Sequence, residues 1–309
     1  MKLVFCGTPE FAVPALEAVI AAGHEVALVV TQPDRAVGRA MQMQAPPVKH
    51  AALAHGIPVV QPEKIKTNAD FRGLLESVRP DAILVIAYGR ILPKWMLELP
   101  PLGCINLHGS LLPKYRGAAP IQWAVANGEA QTGVTTMRID EGLDTGPMLL
   151  AEVVHIAPEE TAADLFEGLA DVGARLMVKT LHAIECGTVT AIEQNHAEAT
   201  LAPILKREDG LVDWAKPAKM IHDRWRGFQP WPGAYTSLRG KKLILHRIAP
   251  CAGACEAGEL LVDGDRLTVG CGDRATLRLD EVQLEGKKRM SAAEFLRGYQ
   301  VRSGERLGS

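Results

Sequence analysis

The stretch CINLHGSLLPKYRGAAP, residues 104–120, begins as an apolar strand and places Asn106 and His108 two positions apart before breaking into glycine, serine and proline. Residues i and i+2 of a strand face the same side, so Asn106 and His108 point together while Leu107 points away. Downstream, the loop LDTGPM at 143–148 offers Asp144. A carboxylate hydrogen-bonded to His108 would orient the ring and favour its protonated form, and the Asn106 amide can donate to a developing oxyanion. Such a trio suits transfer of an acyl group to an amine, because the nucleophile must lose a proton and the tetrahedral intermediate carries negative charge. No activated serine or cysteine is needed if the acceptor attacks directly. A lone histidine at a strand end is commonly structural; the company of Asn106 and Asp144 favours chemistry. Cys104 shares the face of Asn106 but sits deeper in the sheet without a base partner, and reads as core.

These residues need a scaffold that aims them. KLVFCG (2–7), VALVVT (26–31), PVVQ (58–61), AILVIAYG (82–89) and GCINLHG (103–109) are apolar runs with little polar alternation, the pattern of strands buried on both faces. Between them FAVPALEAVIAAG (11–23), VKHAALAHG (48–56) and NADFRGLLESV (68–78) carry helical spacing. This alternation predicts an α/β fold with a doubly wound, mostly parallel, Rossmann-like sheet, whose ligands bind beyond the carboxyl ends of the strands. A strand pair within 134–156 and a long amphipathic helix over 161–187 follow. A catalytic domain over 1–187 and a polar, aperiodic linker over 188–206 are expected. From 207 to 309, short alternating runs separated by glycine and aspartate turns predict a small antiparallel, OB-like β-barrel with a helix near MIHDRWRGF.

Other chemistries are disfavoured. The first βα turn, CGTPEFAVP, lacks the glycines of a dinucleotide fingerprint; Pro9 has no N–H donor and Glu10 would repel a phosphate. A P-loop signature is absent, and the C-x3-C spacing of Cys251 and Cys255 has no second paired half, so no metal is expected. Six scattered cysteines do not form the frame of a small secreted domain. With no long apolar run and no signal-like N-terminus, a cytoplasmic protein without a membrane segment is expected. The net charge of −2 conceals an asymmetry: residues 1–207 hold 17 Lys+Arg against 22 Asp+Glu, and 208–309 hold 17 against 14. The basic end could face a polyanion.

NLHGSLLPKYRGAAPIQWAVANGE (106–129) followed by TGVTTMRIDEGLDTGPML (132–149) resembles the formyltransferase family that uses 10-formyltetrahydrofolate. FCGTPEFAVPAL, TQPDRAVGRA, VIAYGRILP and FQPWPGAY extend the resemblance along nearly the whole chain, towards the branch that formylates an amino acid carried on tRNA. The resemblance implies that Asn106, His108 and Asp144 occupy the catalytic positions. It implies that Ser110, Leu111, Leu112 and Pro113 contact the folate, and that the strand end around Tyr88 lines the pterin pocket. The cosubstrate would be 10-formyltetrahydrofolate, the acceptor the α-amino group of methionine on initiator tRNA, and the working form a monomer. In the family the loop after TQPDR meets the tRNA acceptor end; Arg39 is the matching cation here. AMQMQ follows where lysines are common, so a weaker salt dependence is expected. Lys287, Lys288 and Arg289 could supply part of the remaining field.

Two rival readings remain. A relative acting on a purine-pathway ribonucleotide or an amino sugar nucleotide would share the trio, but the full second domain, Gly109 in NLHGS and the TQPDR loop speak for tRNA. An idle binding module would have no need to keep Asn106, His108 and Asp144 together.

Overall fold

The computed structural model describes residues 1–37 and 41–308. In chain order its elements through residue 185 are β1 (Lys2–Gly7), α1 (Val13–Ala21), β2 (Glu25–Val30), β3 (Arg35–Val37), β4 (Gln42–Gln44), α2 (Pro47–Ala54), β5 (Val59–Val60), α3 (Ala69–Val78), β6 (Ala82–Ile86), α4 (Lys94–Leu97), β7 (Cys104–His108), α5 (Pro120–Ala126), β8 (Gln131–Arg138), β9 (Met148–His155) and α6 (Ala162–Glu185). Two compact units emerge, one of Met1–Pro120, Gln131–His155 and Phe166–Pro203, the other of Ile121–Ala130, Ile156–Leu165 and Ile204–Ser309.

The first unit is built on a seven-stranded sheet in the order β5-β2-β1-β6-β7-β8-β9. The apolar runs behave as their composition demands: β1, β2, β5, β6 and β7 pair in parallel, and Leu3, Val4, Phe5, Ile83, Leu84 and Ile105 are fully buried. The sheet is mixed, because β8 pairs antiparallel with both β7 and β9. The loop 139–147 that joins β8 to β9 is too short for the crossover that a parallel pair requires. Asn68 caps α3, its side chain accepting the Phe71 N–H at 3.0 Å. TQPDRAV leads into a short antiparallel hairpin of β3 and β4, in which Val37 pairs with Gln42. Arg39, the expected tRNA contact, lies outside the described residues.

The second unit adds α7 (Ala218–Gly227), β10 (Ala234–Leu238), β11 (Lys241–Cys251), β12 (Leu260–Asp263), β13 (Arg266–Gly270), β14 (Thr276–Leu284), β15 (Met290–Ser291) and α8 (Ala292–Tyr299). Its core gathers Trp225, Leu243, Leu245, Leu267, Leu277 and Phe295. The Trp225 indole N–H donates to the Leu245 carbonyl at 3.0 Å, which fixes α7 against the sheet. Ser291 and Glu294 form a capping box on α8.

The barrel expected from the sequence is corrected here to an open antiparallel sheet. The order β10-β11-β14-β13-β12, with β15 on β14, leaves β10 and β12 at the ends with no ladder joining them. Closure needs a pairing between the end strands. Instead, isolated bridges from Leu307 to Leu238 and from Arg306 to Glu259 tie the C-terminal residues to the two ends of the sheet. Among the described residues no helix is long and apolar enough to cross a membrane.

Candidate active site

β7 lies between β6 and β8, with Val85 opposite Asn106 on one side and Thr135 opposite His108 on the other. Its alternation places Asn106 and His108 on one face at the carboxyl end of the strand. Asn106 is half-buried, and its amide makes no hydrogen bond to another described residue. It is therefore available to a ligand.

His108 is 5% exposed, and its Nε2 stands 2.9 Å from the carbonyl oxygen of Tyr115. A carbonyl only accepts, so Nε2 carries the proton and the neutral ring presents its lone pair at Nδ1. Nδ1 faces Oδ2 of Asp144 at 3.7 Å. Asp144 thus reaches the ring but stays beyond hydrogen-bond distance, and the Tyr115 carbonyl orients the imidazole instead. The Gly117 backbone N–H donates to the same Oδ2 at 2.8 Å and holds the carboxylate in place. Both supporting loops use left-handed backbone, with φ of +61° at Tyr115 and +50° at Asp144. Such conformations in residues other than glycine persist only where their surroundings enforce them. Gly117 has φ of +120°, and a Cβ there would meet the Ala202 carbonyl oxygen at 2.7 Å. The position admits only glycine.

Sequence reasoning missed Tyr115 and Gly117. Both act through backbone groups, which leave no signature in residue type; the only available hint was the glycine in KYRGAAP.

The SLLP turn is braced from within. The Ser110 hydroxyl, fully buried, donates to the Lys114 carbonyl at 2.7 Å. The Thr135 hydroxyl donates to the Ser110 carbonyl at 2.7 Å and accepts the Leu112 N–H at 3.2 Å. Leu112 is buried, and Leu111 and Pro113 retain exposed surface. The Tyr88 ring is 1% exposed and packed with Val4, Cys6, Ile83, Met96 and Cys104. Burial pushes its phenol pKa up. What Tyr88 offers outward is its carbonyl, which accepts from the Gln32 amide at 3.0 Å and the Thr8 hydroxyl at 3.2 Å. These groups line a crevice of about 450 Å³ beyond the carboxyl ends of β1, β2 and β6, walled also by Pro9, Pro33 and Pro46. Cys104 is in the core as expected, and burial pushes its thiol up to about 12, which removes it as a nucleophile. Among the described residues no group of three His, Cys, Asp or Glu side chains is placed to hold a metal.

The formyl transferase family model matches residues 1–181, and the model for the formyl transferase C-terminal domain matches 204–300. The chain is 63% identical over its full length to the methionyl-tRNA formyltransferase of Acidobacterium capsulatum, all of which it covers. It is 58% identical to the methionyl-tRNA formyltransferase of Koribacter versatilis, covering 99% of that protein. Among solved structures, the N-formyltransferase of Helicobacter canadensis in complex with folinic acid and dTDP-3-aminofucose superposes with a TM-score of 0.67 at 20% identity, covering 90% of this chain and 98% of that one. HypX of Aquifex aeolicus in complex with tetrahydrofolic acid gives 0.62 at 17% identity, covering 96% of this chain and 46% of that one. At such identities the two structures speak for the fold alone. With family models matching most of its length and relatives similar from end to end, the chain belongs to the formyl transferase family.

Proposed function

We propose that the chain transfers a formyl group from 10-formyltetrahydrofolate to the α-amino group of methionine on initiator tRNA, the step that prepares this tRNA for translation initiation. The observation that carries the reading is the site itself: an unpaired amide at Asn106 beside a histidine whose free Nδ1 faces a fixed carboxylate, in a chain similar throughout to methionyl-tRNA formyltransferases.

The folate supplies the formyl group in activated form. Leu111 and Pro113, the half-buried members of the SLLP turn, suit a flat heterocycle, while Ser110 and Leu112 brace the turn from inside. Nδ1 of His108 accepts the proton that the attacking amine loses, since Nε2 is committed to Tyr115. Asp144 then faces a protonated Nδ1 and stabilises the imidazolium by its charge until, as the tetrahedral intermediate collapses and the bond from the formyl carbon to N10 breaks, the ring returns the proton to that nitrogen of the departing tetrahydrofolate. Asn106 donates its amide N–H to the oxyanion that develops on the formyl oxygen. The crevice beside Tyr88, at the carboxyl end of the sheet, gives the pterin of the folate a concave seat. Exposed cations of the second unit, Lys287 and Lys288 among them, supply field for the tRNA backbone. Incubation with 10-formyltetrahydrofolate and either methionyl initiator or methionyl elongator tRNA tests the reading. Formylation of the initiator alone is expected; formylation of neither would sink it.

A further inference from the structure

We infer that Gln194 is a positioning residue for Asp144, holding the catalytic carboxylate through a closed circuit of hydrogen bonds; this rests on the formyl-transfer reading above. Gln194 lies in the polar segment read from the sequence as a linker, yet it is 4% exposed. Its amide NH2 donates to two carbonyls of the catalytic loop, that of Asp144 at 2.9 Å and that of Gly146 at 2.7 Å. Those bonds fall on either side of Thr145 and fix the left-handed backbone of Asp144. The amide oxygen of Gln194 accepts from Nε and Nη2 of Arg116 at 3.0 and 2.7 Å.

Arg116 closes the circuit. It is 6% exposed and has no carboxylate partner among the described residues; its other acceptor is Nδ1 of His196 at 3.1 Å. A buried guanidinium facing only neutral acceptors is a costly arrangement. Its neighbours show what the arrangement serves: Tyr115 binds Nε2 of His108, and Gly117 binds Oδ2 of Asp144. The chain of contacts therefore runs from His108 through Tyr115, Arg116 and Gln194 to Asp144, and returns through Gly117. The backbone of Arg116 is pinned as well, to the Thr200 carbonyl at 2.9 Å and the Ala202 N–H at 2.7 Å. Residues 192–202 thus act as a strap across both catalytic loops, and Gln194 is its one side chain bonded to each of them.

A positioning role separates from general stabilisation in a double-mutant cycle. Gln194→Glu keeps an acceptor for Arg116 but sets oxygen against the Asp144 and Gly146 carbonyls. Gln194→Met, which keeps the length and drops all four bonds, is carried through the same cycle so that the result does not depend on how one variant folds. Either substitution is expected to lower kcat by about tenfold or more, with KM for folate and tRNA unchanged, because small misplacements of a catalytic group are expensive. In an Asp144→Asn background the same substitutions are expected to cost less than about twofold, since residues acting through one another are not additive. Equal losses in the two backgrounds, or no loss beside an intact Asp144, would overturn the inference while leaving the formyl-transfer reading standing. A wild-type protein that formylates no methionyl-tRNA defeats that reading, and the inference with it.

Discussion

Oδ2 of Asp144 accepts the Gly117 N–H at 2.8 Å and faces Nδ1 of His108 at 3.7 Å, so one carboxylate oxygen is both anchored and aimed. With Nε2 donating to Tyr115, the ring has a single nitrogen left for proton transfer. That nitrogen is the one beside the carboxylate.

Asn106 stands next to this pair with its amide unengaged, which makes it the simplest residue to test. Asn106→Ala removes one oxyanion donor and no side-chain hydrogen bond to another described residue, so kcat is expected to fall about 10² to 10³-fold with thermal stability nearly unchanged. Steady-state kinetics beside a thermal melt checks both halves. A normal kcat would remove Asn106 from the reaction.

Gly146 controls the placement of Asp144 from two residues away. A Cβ there would lie 2.0 Å from the Arg138 carbonyl oxygen, so Gly146→Ala must push the loop off β8. Loss of kcat on the order of 10²-fold is expected, together with a melting midpoint lowered by a few degrees, roughly 2 to 8 °C for a cost near ~1 to 2 kcal/mol. Retention of wild-type kcat would show that the loop tolerates displacement.

How far the sequence foretold this site depends on what each residue contributes. The apolar runs announced the parallel strands because burial on both faces leaves them no polar alternation, and the i, i+2 rule aimed Asn106 and His108. Asp144 was offered as a carboxylate in the loop LDTGPM and again by the resemblance, and the structure sets its Oδ2 3.7 Å from the ring. Tyr115 and Gly117 escaped notice because a carbonyl and an N–H belong to every residue type. Gln194 was hidden in a polar, aperiodic segment, where nothing local distinguishes a buried amide from a solvated one. Closure of the C-terminal sheet depends on pairing between remote end strands, so alternation within each strand said nothing about it. The β3–β4 hairpin of QMQ and RAV was too short to carry a period.

Stability is expected to weaken at acid pH through His222. The ring is 4% exposed and stacked on Trp225, and burial is the main cause holding its pKa below the usual histidine range; Glu159, at 3.7 Å, opposes the shift only in part. The unfolded chain therefore takes up a proton at higher pH than the folded one. The stabilisation is complete above about pH 6.5 and is lost as pH falls below it. Melting curves between pH 8 and pH 5 should show this decline in wild type and a flatter one in His222→Phe, which keeps an aromatic ring on Trp225. Identical slopes would place the acid sensitivity elsewhere.

Salt dependence of tRNA binding reports which cations engage phosphate. Lys287 and Lys288 are exposed in the turn between β14 and β15, whereas Arg289 is already hydrogen-bonded to Glu281. Replacing both lysines by alanine is expected to make the slope of log affinity against log salt shallower by about 1 to 2, while Arg289→Ala leaves it nearly unchanged. Fluorescence titrations at several salt concentrations measure each slope. An Arg289→Ala effect as large as that of the lysine pair would contradict the assignment.

The most direct measurement is single-turnover transfer of labelled formyl from 10-formyltetrahydrofolate to methionyl initiator tRNA by wild type and His108→Ala, with folate affinity determined for both. The geometry predicts that wild type produces formylmethionyl-tRNA, that the variant is slower by about 10² to 10⁴-fold, and that folate binds the two alike. Near-normal transfer by His108→Ala would contradict the mechanism, because among the described residues His108 is the one ring that faces Asp144 to take the proton.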